Sequence, residues 1–232
     1  VKAARDRRVL RACDPLVFGD ANVLDAVARR CGLPAIPRNR IVDCGAIRKI
    51  SDVRPGKIRK ICGRAAYAYI SGAVRAAMRG EISAITTAPI NKESLNLAGI
   101  HYPGHTELLA KLTNTKKYCM MMASEEIIVS LVTTHTALRN IPGALSKGRI
   151  LDVIGLTRSV LRKLGRKGRI AVCSLNPHGG ENGLFGNEEA RVIRPAIAMA
   201  RSRGFAVDGP IPPDTAFMPS RRKHTEAYVV MY

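Results

Sequence analysis

The sequence predicts an α/β protein, with a largely parallel sheet carrying helices on both faces. Three observations carry that expectation. Short apolar runs alternate with stretches of helical periodicity from end to end. The segments between strand-like runs are long enough to be right-handed helical crossovers. A hydrophobic content of 46% with 24% charged residues is that of a chain able to bury a core, which excludes a disordered or collagenous protein. At 232 residues this is one large domain or two small ones.

Taken in order, residues 15–19 read as a short strand, and Asp20 caps a helix running to about Arg30. Residues 57–79 form a long, alanine-rich helix stopped by Gly80. A strand follows over 82–87, then a short helix over 91–97 behind Pro89 and another over 106–113. The β-rich runs 118–122 and 127–134 are close enough to be neighbouring strands. Residues 147–163 are an amphipathic helix, 169–175 a buried-type strand, 188–203 a helix, and 226–232 the start of a last strand. No repeat, low-complexity tract or linker interrupts the series.

Composition narrows the class further. The longest uncharged apolar stretch, 127–138, is too short to span a bilayer, and no leader pattern opens the chain, so a cytoplasmic protein is expected. The chain opens on Val1 and stops at Met231-Tyr232 inside an apolar run, which reads as a piece of a longer protein whose severed last strand lies open and invites aggregation. Six cysteines without a C-x-x-C pair are expected to be reduced thiols, not a zinc ribbon. The 38 basic against 18 acidic residues leave a charge of +20, spread along the whole chain. Aromatics are only 4% and Trp is absent, and no finger, zipper or RNA-recognition signature occurs, so nucleic acid is not the expected partner. A basic nucleic-acid-binding module without catalysis remains the rival from another class.

In parallel sheets, ligands collect beyond the carboxyl ends of the strands. Two histidines stand there: His135 closes the run 128–134, and His178 closes 170–177. A shared sheet would bring both imidazoles to one edge. Two imidazoles suit a borderline divalent ion such as zinc, with Zn–N about 2.0–2.1 Å, although no third ligand shows at another strand end. The plainer alternative is two surface or core histidines. The loop Asn176-Pro-His-Gly-Gly-Glu-Asn-Gly-Leu-Phe-Gly186, with four glycines, permits close backbone approach and leads into a helix whose N-terminus favours an anion. No G-x-G-x-x-G occurs, so no Rossmann dinucleotide site is legible. Thr87, Asn91 and Lys92 offer a hydroxyl, an amide and a cation at a helix start, and Thr106 is a candidate cap after the turn at Pro103-Gly104. Read alone, these two segments are a cap and a turn.

Five strings go further: Thr87-Ala-Pro-Ile-Asn-Lys-Glu93, Ala98-Gly-Ile-His-Tyr-Pro-Gly-His-Thr-Glu107, Thr133-Thr-His-Thr-Ala-Leu-Arg139, Leu175-Asn-Pro-His-Gly-Gly-Glu-Asn-Gly-Leu-Phe-Gly186 and Gly209-Pro-Ile-Pro-Pro-Asp-Thr-Ala-Phe217. In sequence and order they closely resemble the 4-hydroxythreonine-4-phosphate dehydrogenase family (PdxA-like), from about residue 13 to the end. The resemblance implies a fold like isocitrate and isopropylmalate dehydrogenases, and a homodimer with its active site at the interface. It also implies oxidation of a phosphorylated hydroxy acid by NAD or NADP, followed by decarboxylation, on the route to pyridoxal phosphate. A divalent metal (zinc, magnesium or cobalt) would polarise the reacting hydroxyl as a Lewis acid. By motif, His135 and His178 would be two of three metal-ligand histidines, and His105 and Thr106 would contact substrate. The third ligand of the family lies in a Met-Tyr-His-Asp-Gln-Gly string, which this chain enters at Met231-Tyr232. The dinucleotide region would lie beyond Tyr232, so residues 1–232 alone are expected to be inactive. Related dehydrogenases of phospho-D-threonate or erythronate, or of a cyclic dihydrodiol acid, are the alternatives within the family.

Overall fold

Two sheets organise the chain, a parallel pair of strands and a five-stranded sheet. The structure, a computed structural model, describes residues 1–232 and divides into two units, Val1–Asn114 and Thr115–Tyr232. No helix is long and apolar enough to cross a membrane, and all six cysteines are free thiols.

In the first unit, helix α1 (Arg7–Ala12) starts where the Asp6 carboxylate accepts the amide of Arg8. Strand β1 (Val17–Gly19), helix α2 (Ala21–Arg30) and strand β2 (Ile41–Asp43) follow, with β1 and β2 pairing in parallel. Asp20 precedes α2 as its sequence position requires, but it makes no side-chain cap. Its buried carboxylate instead accepts the amides of Ala46 (2.8 Å) and Ile47 (2.6 Å) and the Tyr69 hydroxyl (2.7 Å). Three donors satisfy an acceptor that would be costly to bury alone. Burial, and then that same carboxylate, push the Tyr69 phenol far above its ordinary range.

Helix α3 (Lys60–Met78) is the long alanine-rich helix, and α4 (Lys92–Leu97) lies against it across Gly63. Asn91 caps α4, accepting the amide of Ser94 at 2.7 Å. Helix α5 (His105–Leu112) buries Leu108 against Ile70 and Val74 of α3. The expected strand over 82–87 does not form. Ile85 packs on the α3–α5 cluster, and β1 and β2 pair only with each other, so this segment has no strand to join.

The second unit is one sheet in the order β3-β4-β7-β5-β6. Strands β3 (Met120–Ala123) and β4 (Ile128–Leu131) form the expected neighbouring pair, antiparallel. After the short helix α6 (Ile141–Ala144) comes the long helix α7 (Lys147–Lys163), started by Ser146, whose hydroxyl accepts the Arg149 amide. Strand β5 (Arg169–Cys173), helix α8 (Arg194–Ser202) and strand β6 (Val207–Ile211) continue the crossover pattern. Two short helices, α9 (Pro213–Ala216) and α10 (Pro219–Arg222), lead to β7 (Thr225–Val230). Strands β4, β5, β6 and β7 are mutually parallel.

Period-two burial sorts the two faces. Ile170, Val172, Ala227 and Val229 meet Ile150, Ile154 and Ile197 of α7 and α8 in the main core. Ala171, Cys173 and Tyr228 point the other way, onto Ile211 and Ala216, with the Phe217 ring 4.5 Å from Tyr228. Helices thus cover both faces, the long pair on one and α9 on the other.

Two expectations are corrected here. Strand β6 was not anticipated, because Asp208-Gly209-Pro210 reads as a turn. It survives as an edge strand, where a proline lacking its amide proton is tolerated. The last strand is no open edge either: β7 sits at the centre with β4 and β5 paired on its two sides.

Candidate active site

Parallel pairing places the carboxyl ends of β4, β5, β6 and β7 at one edge. The loops leaving β4 and β5 carry His135 and His178 there, as their positions in the sequence imply. Asp214 follows β6 at the same edge, and Tyr232 follows β7 between them. The end of β4 is fixed by Thr133, whose hydroxyl donates to the Met231 carbonyl at 2.7 Å, and by Arg149, which donates to the carbonyls of Val132 (2.9 Å) and Tyr118 (2.6 Å).

Both histidines hold left-handed backbone, with φ of 52° at His135 and 51° at His178. That conformation is uphill for a residue with a Cβ and tends to collect at working sites. At His178 it extends through Gly179, Gly180, Glu181 and Asn182, a left-handed turn of five consecutive residues. Both imidazoles are exposed. Nδ1 of His178 lies 3.3 Å from Oδ2 of Asp214. A carboxylate beside one ring nitrogen is the kind of neighbour that orients ligating histidines.

The turn rests on Glu189, which is 3% exposed. Its Oε1 accepts the amides of Leu175 and Asn176, each at 2.8 Å, and its Oε2 accepts Nδ2 of Asn176 at 2.9 Å. Burial alone would raise the carboxyl's pKa, but the hydrogen bonds from Asn176 and Leu175 outweigh it and hold the group below the usual carboxylate range.

In the first unit, His105 and Thr106 open α5 behind Gly104, so Thr106 lies inside the helix instead of capping it. No side chain caps this first turn, and its amides are disposed to meet an anion. Nε2 of His105 is buried without a hydrogen-bond partner, a polar atom placed to meet something other than protein. Lys92 is exposed at the start of α4, and Asn91 beside it is occupied as the cap.

As a metal site, the donor set fits in kind and is incomplete in number. Two imidazoles at one edge, one oriented by a carboxylate, match borderline divalent ions, but no three His, Cys, Asp or Glu side chains gather around one point. Sequence reasoning missed Asp214 and Glu189. Asp214 lay inside a quoted string, and an acid three residues past a strand is a signal only once β6 is known to be a strand. Glu189 looked like one more charge on a helix.

The family described as pyridoxal phosphate biosynthetic protein PdxA matches residues 11–232. A D-threonate 4-phosphate dehydrogenase of Salmonella typhimurium is 47% identical over 178 residues, which are 76% of this chain and 54% of that protein. A 4-hydroxythreonine-4-phosphate dehydrogenase of Desulfosudis oleivorans is 44% identical over 239 residues, covering 97% of this chain and 71% of its own length. The chain therefore spans about half of the first relative and seven-tenths of the second. Among solved structures, a 4-hydroxythreonine-4-phosphate dehydrogenase from Burkholderia phymatum superposes with a TM-score of 0.83 at 38% identity, over 100% of this chain and 74% of that one.

Proposed function

From the premise that this chain belongs to the PdxA family, we propose that its full-length form is a metal-dependent NAD(P) dehydrogenase of a small phosphorylated hydroxy acid. The observation that carries this reading is that His135 and His178 follow parallel strands of one sheet at the same edge, with Asp214 3.3 Å from His178.

In this reading, His135 and His178 hold one divalent cation through neutral imidazoles. Bound there, the cation supplies Lewis-acid polarisation of the substrate's hydroxyl oxygen. β7 lies between β4 and β5, so its carboxyl end, with Tyr232, stands between the two loops that carry the imidazoles. Asp214, 3.3 Å from Nδ1 of His178, would favour the tautomer that leaves Nε2 to the cation. His105 and Thr106 contact substrate: the uncapped first turn of α5 suits the phosphoryl group, and the unpartnered Nε2 of His105 gains a partner. The net charge of +20 draws a multiply acidic substrate toward the protein.

Oxidation sends hydride from the carbinol carbon to the nicotinamide and the hydroxyl proton to a base. The β-keto acid so formed loses carbon dioxide. The substrate proposed is 4-phosphooxy-L-threonine, in pyridoxal phosphate biosynthesis, within a cytoplasmic homodimer. A second reading, D-threonate 4-phosphate, is favoured by the 47% identity to the Salmonella typhimurium enzyme.

The test offers both compounds to the full-length protein with NAD or NADP, with and without a chelator, and follows reduced nicotinamide. Turnover of one compound, abolished by chelator and restored by zinc or cobalt, is expected. His105→Ala should raise KM or lower kcat by roughly 10–100-fold, as the loss of one buried contact to a charged group does, while bound metal stays unchanged. Metal lost with His105 would mean that the ligands are misassigned.

A further inference from the structure

We propose that Glu189 is a positioning residue, whose buried carboxylate holds the left-handed turn that presents His178. It deepens the metal-site reading above and rests on it for the ion, but not for the geometry of the turn.

The turn is uphill for its backbone. Residues 178–182 all have positive φ, and His178, Glu181 and Asn182 among them carry side chains that resist it. Such backbone persists only where its surroundings over-determine it. Main-chain hydrogen bonds within the turn contribute, and one buried side chain braces its entry. Glu189 accepts both main-chain amides that lead into the turn, Leu175 and Asn176, together with the Asn176 side chain. The neighbouring Glu188 takes the same Asn176 amide nitrogen at 2.8 Å, so two carboxylates converge on one side chain. From Asn176 only the rigid Pro177 intervenes before His178.

The turn also returns onto the same carboxylate. A Cβ built on Gly180 would stand 2.9 Å from Oε2 of Glu189 and 3.0 Å from the carbonyl of Gly186. Glu189 is thus pinched between the entry of the turn and its middle. It begins a π-helical turn, Glu189–Ile193, ahead of α8. Single π turns recur at functional sites. This one is anchored by Ile193, fully buried in the core shared with α7, which ties the brace to the rigid part of the sheet unit.

The experiment uses the full-length protein and two readouts. The first is independent of metal: the imidazole carbon–proton resonances, with those of His178 assigned from their loss in His178→Ala. In Glu189→Gln one acceptor oxygen becomes a donor amide facing donors. The His178 resonance should shift and broaden, while His224, which precedes β7 at the opposite edge, stays in place. The second readout is titration with zinc ion alone, in which Glu189→Gln should weaken binding by roughly tenfold, the low end of what support of a ligating histidine contributes, because the turn that presents His178 loses its brace. If Glu189→Gln does not fold, Gly180→Ala presses on the carboxylate from the turn side and should move the same resonance. An unmoved His178 resonance in a folded variant overturns the proposal. Zinc binding that His178→Ala leaves unchanged overturns the metal reading instead, and the resonance still decides the brace.

Discussion

Replacing His178 by alanine in the full-length protein should cost the bound divalent ion, with apparent affinity falling by more than about 100-fold. Even an outer partner of a ligating imidazole contributes 10–100-fold, and His178 is assigned to the inner set. His135→Ala should do the same, since the two loops leave parallel strands at one edge. Neither variant should unfold the protein, because both imidazoles are exposed and take no part in the core. Removing a left-handed non-glycine residue does not by itself relieve the turn, as alanine is no better there. His224→Ala is the control: it lies in the same unit at the amino end of β7, and metal content should be unchanged. Equal metal content in His135→Ala, His178→Ala and wild type would remove both residues from the site.

The second large effect is on stability. Gly63 sits within α3, where alanine would normally be preferred by about 1 kcal/mol. Here the sign reverses. A Cβ at Gly63 would enter the Ser94 carbonyl and stand 2.8 Å from the Leu95 amide nitrogen, and both are backbone of α4. No rotamer relieves a clash with main chain, so α4 must slide off α3. Leu95, 1% exposed, loses its packing as it goes. Gly63→Ala should therefore destabilise by roughly 3 kcal/mol, lowering the thermal midpoint by roughly 10 °C for a chain of this size. A calorimetric scan decides. A midpoint at or above wild type would mean that α4 yields freely and only helix propensity remains.

How much of this was legible in the sequence depended on whether local pattern and tertiary role agreed. In β4 and β5 they agreed: a β-rich run and a continuous buried-type apolar run marked the strands, and the histidine after each marked the carboxyl edge. The long helices α3 and α7 were equally plain from their apolar stripes and stops. Residues 82–87 are rich in Ile and Thr like a strand, yet strand formation needs a partner edge, and pairing is not a local property. Strand β6 failed in the other direction, because Gly209 and Pro210 suppress the pattern. Gly209 nevertheless brings its backbone against the Val172 carbonyl, where a side chain would collide. Of the candidate site, the imidazoles were readable and their supports were not. Asp214 and Glu189 act through contacts 36 and 13–14 residues away in sequence, which no local spacing encodes. The glycine density of 179–186 hinted at unusual backbone, but not at five left-handed residues in succession.

The central claim is that His135 and His178 bind one ion together. X-ray absorption at the zinc edge, on full-length protein loaded with one zinc per chain, tests it most directly when wild type is compared with the two single variants. Wild type should show imidazole nitrogens at about 2.0–2.1 Å, with one imidazole fewer in His135→Ala and likewise in His178→Ala. Spectra identical across all three proteins would place the ion elsewhere and contradict the claim.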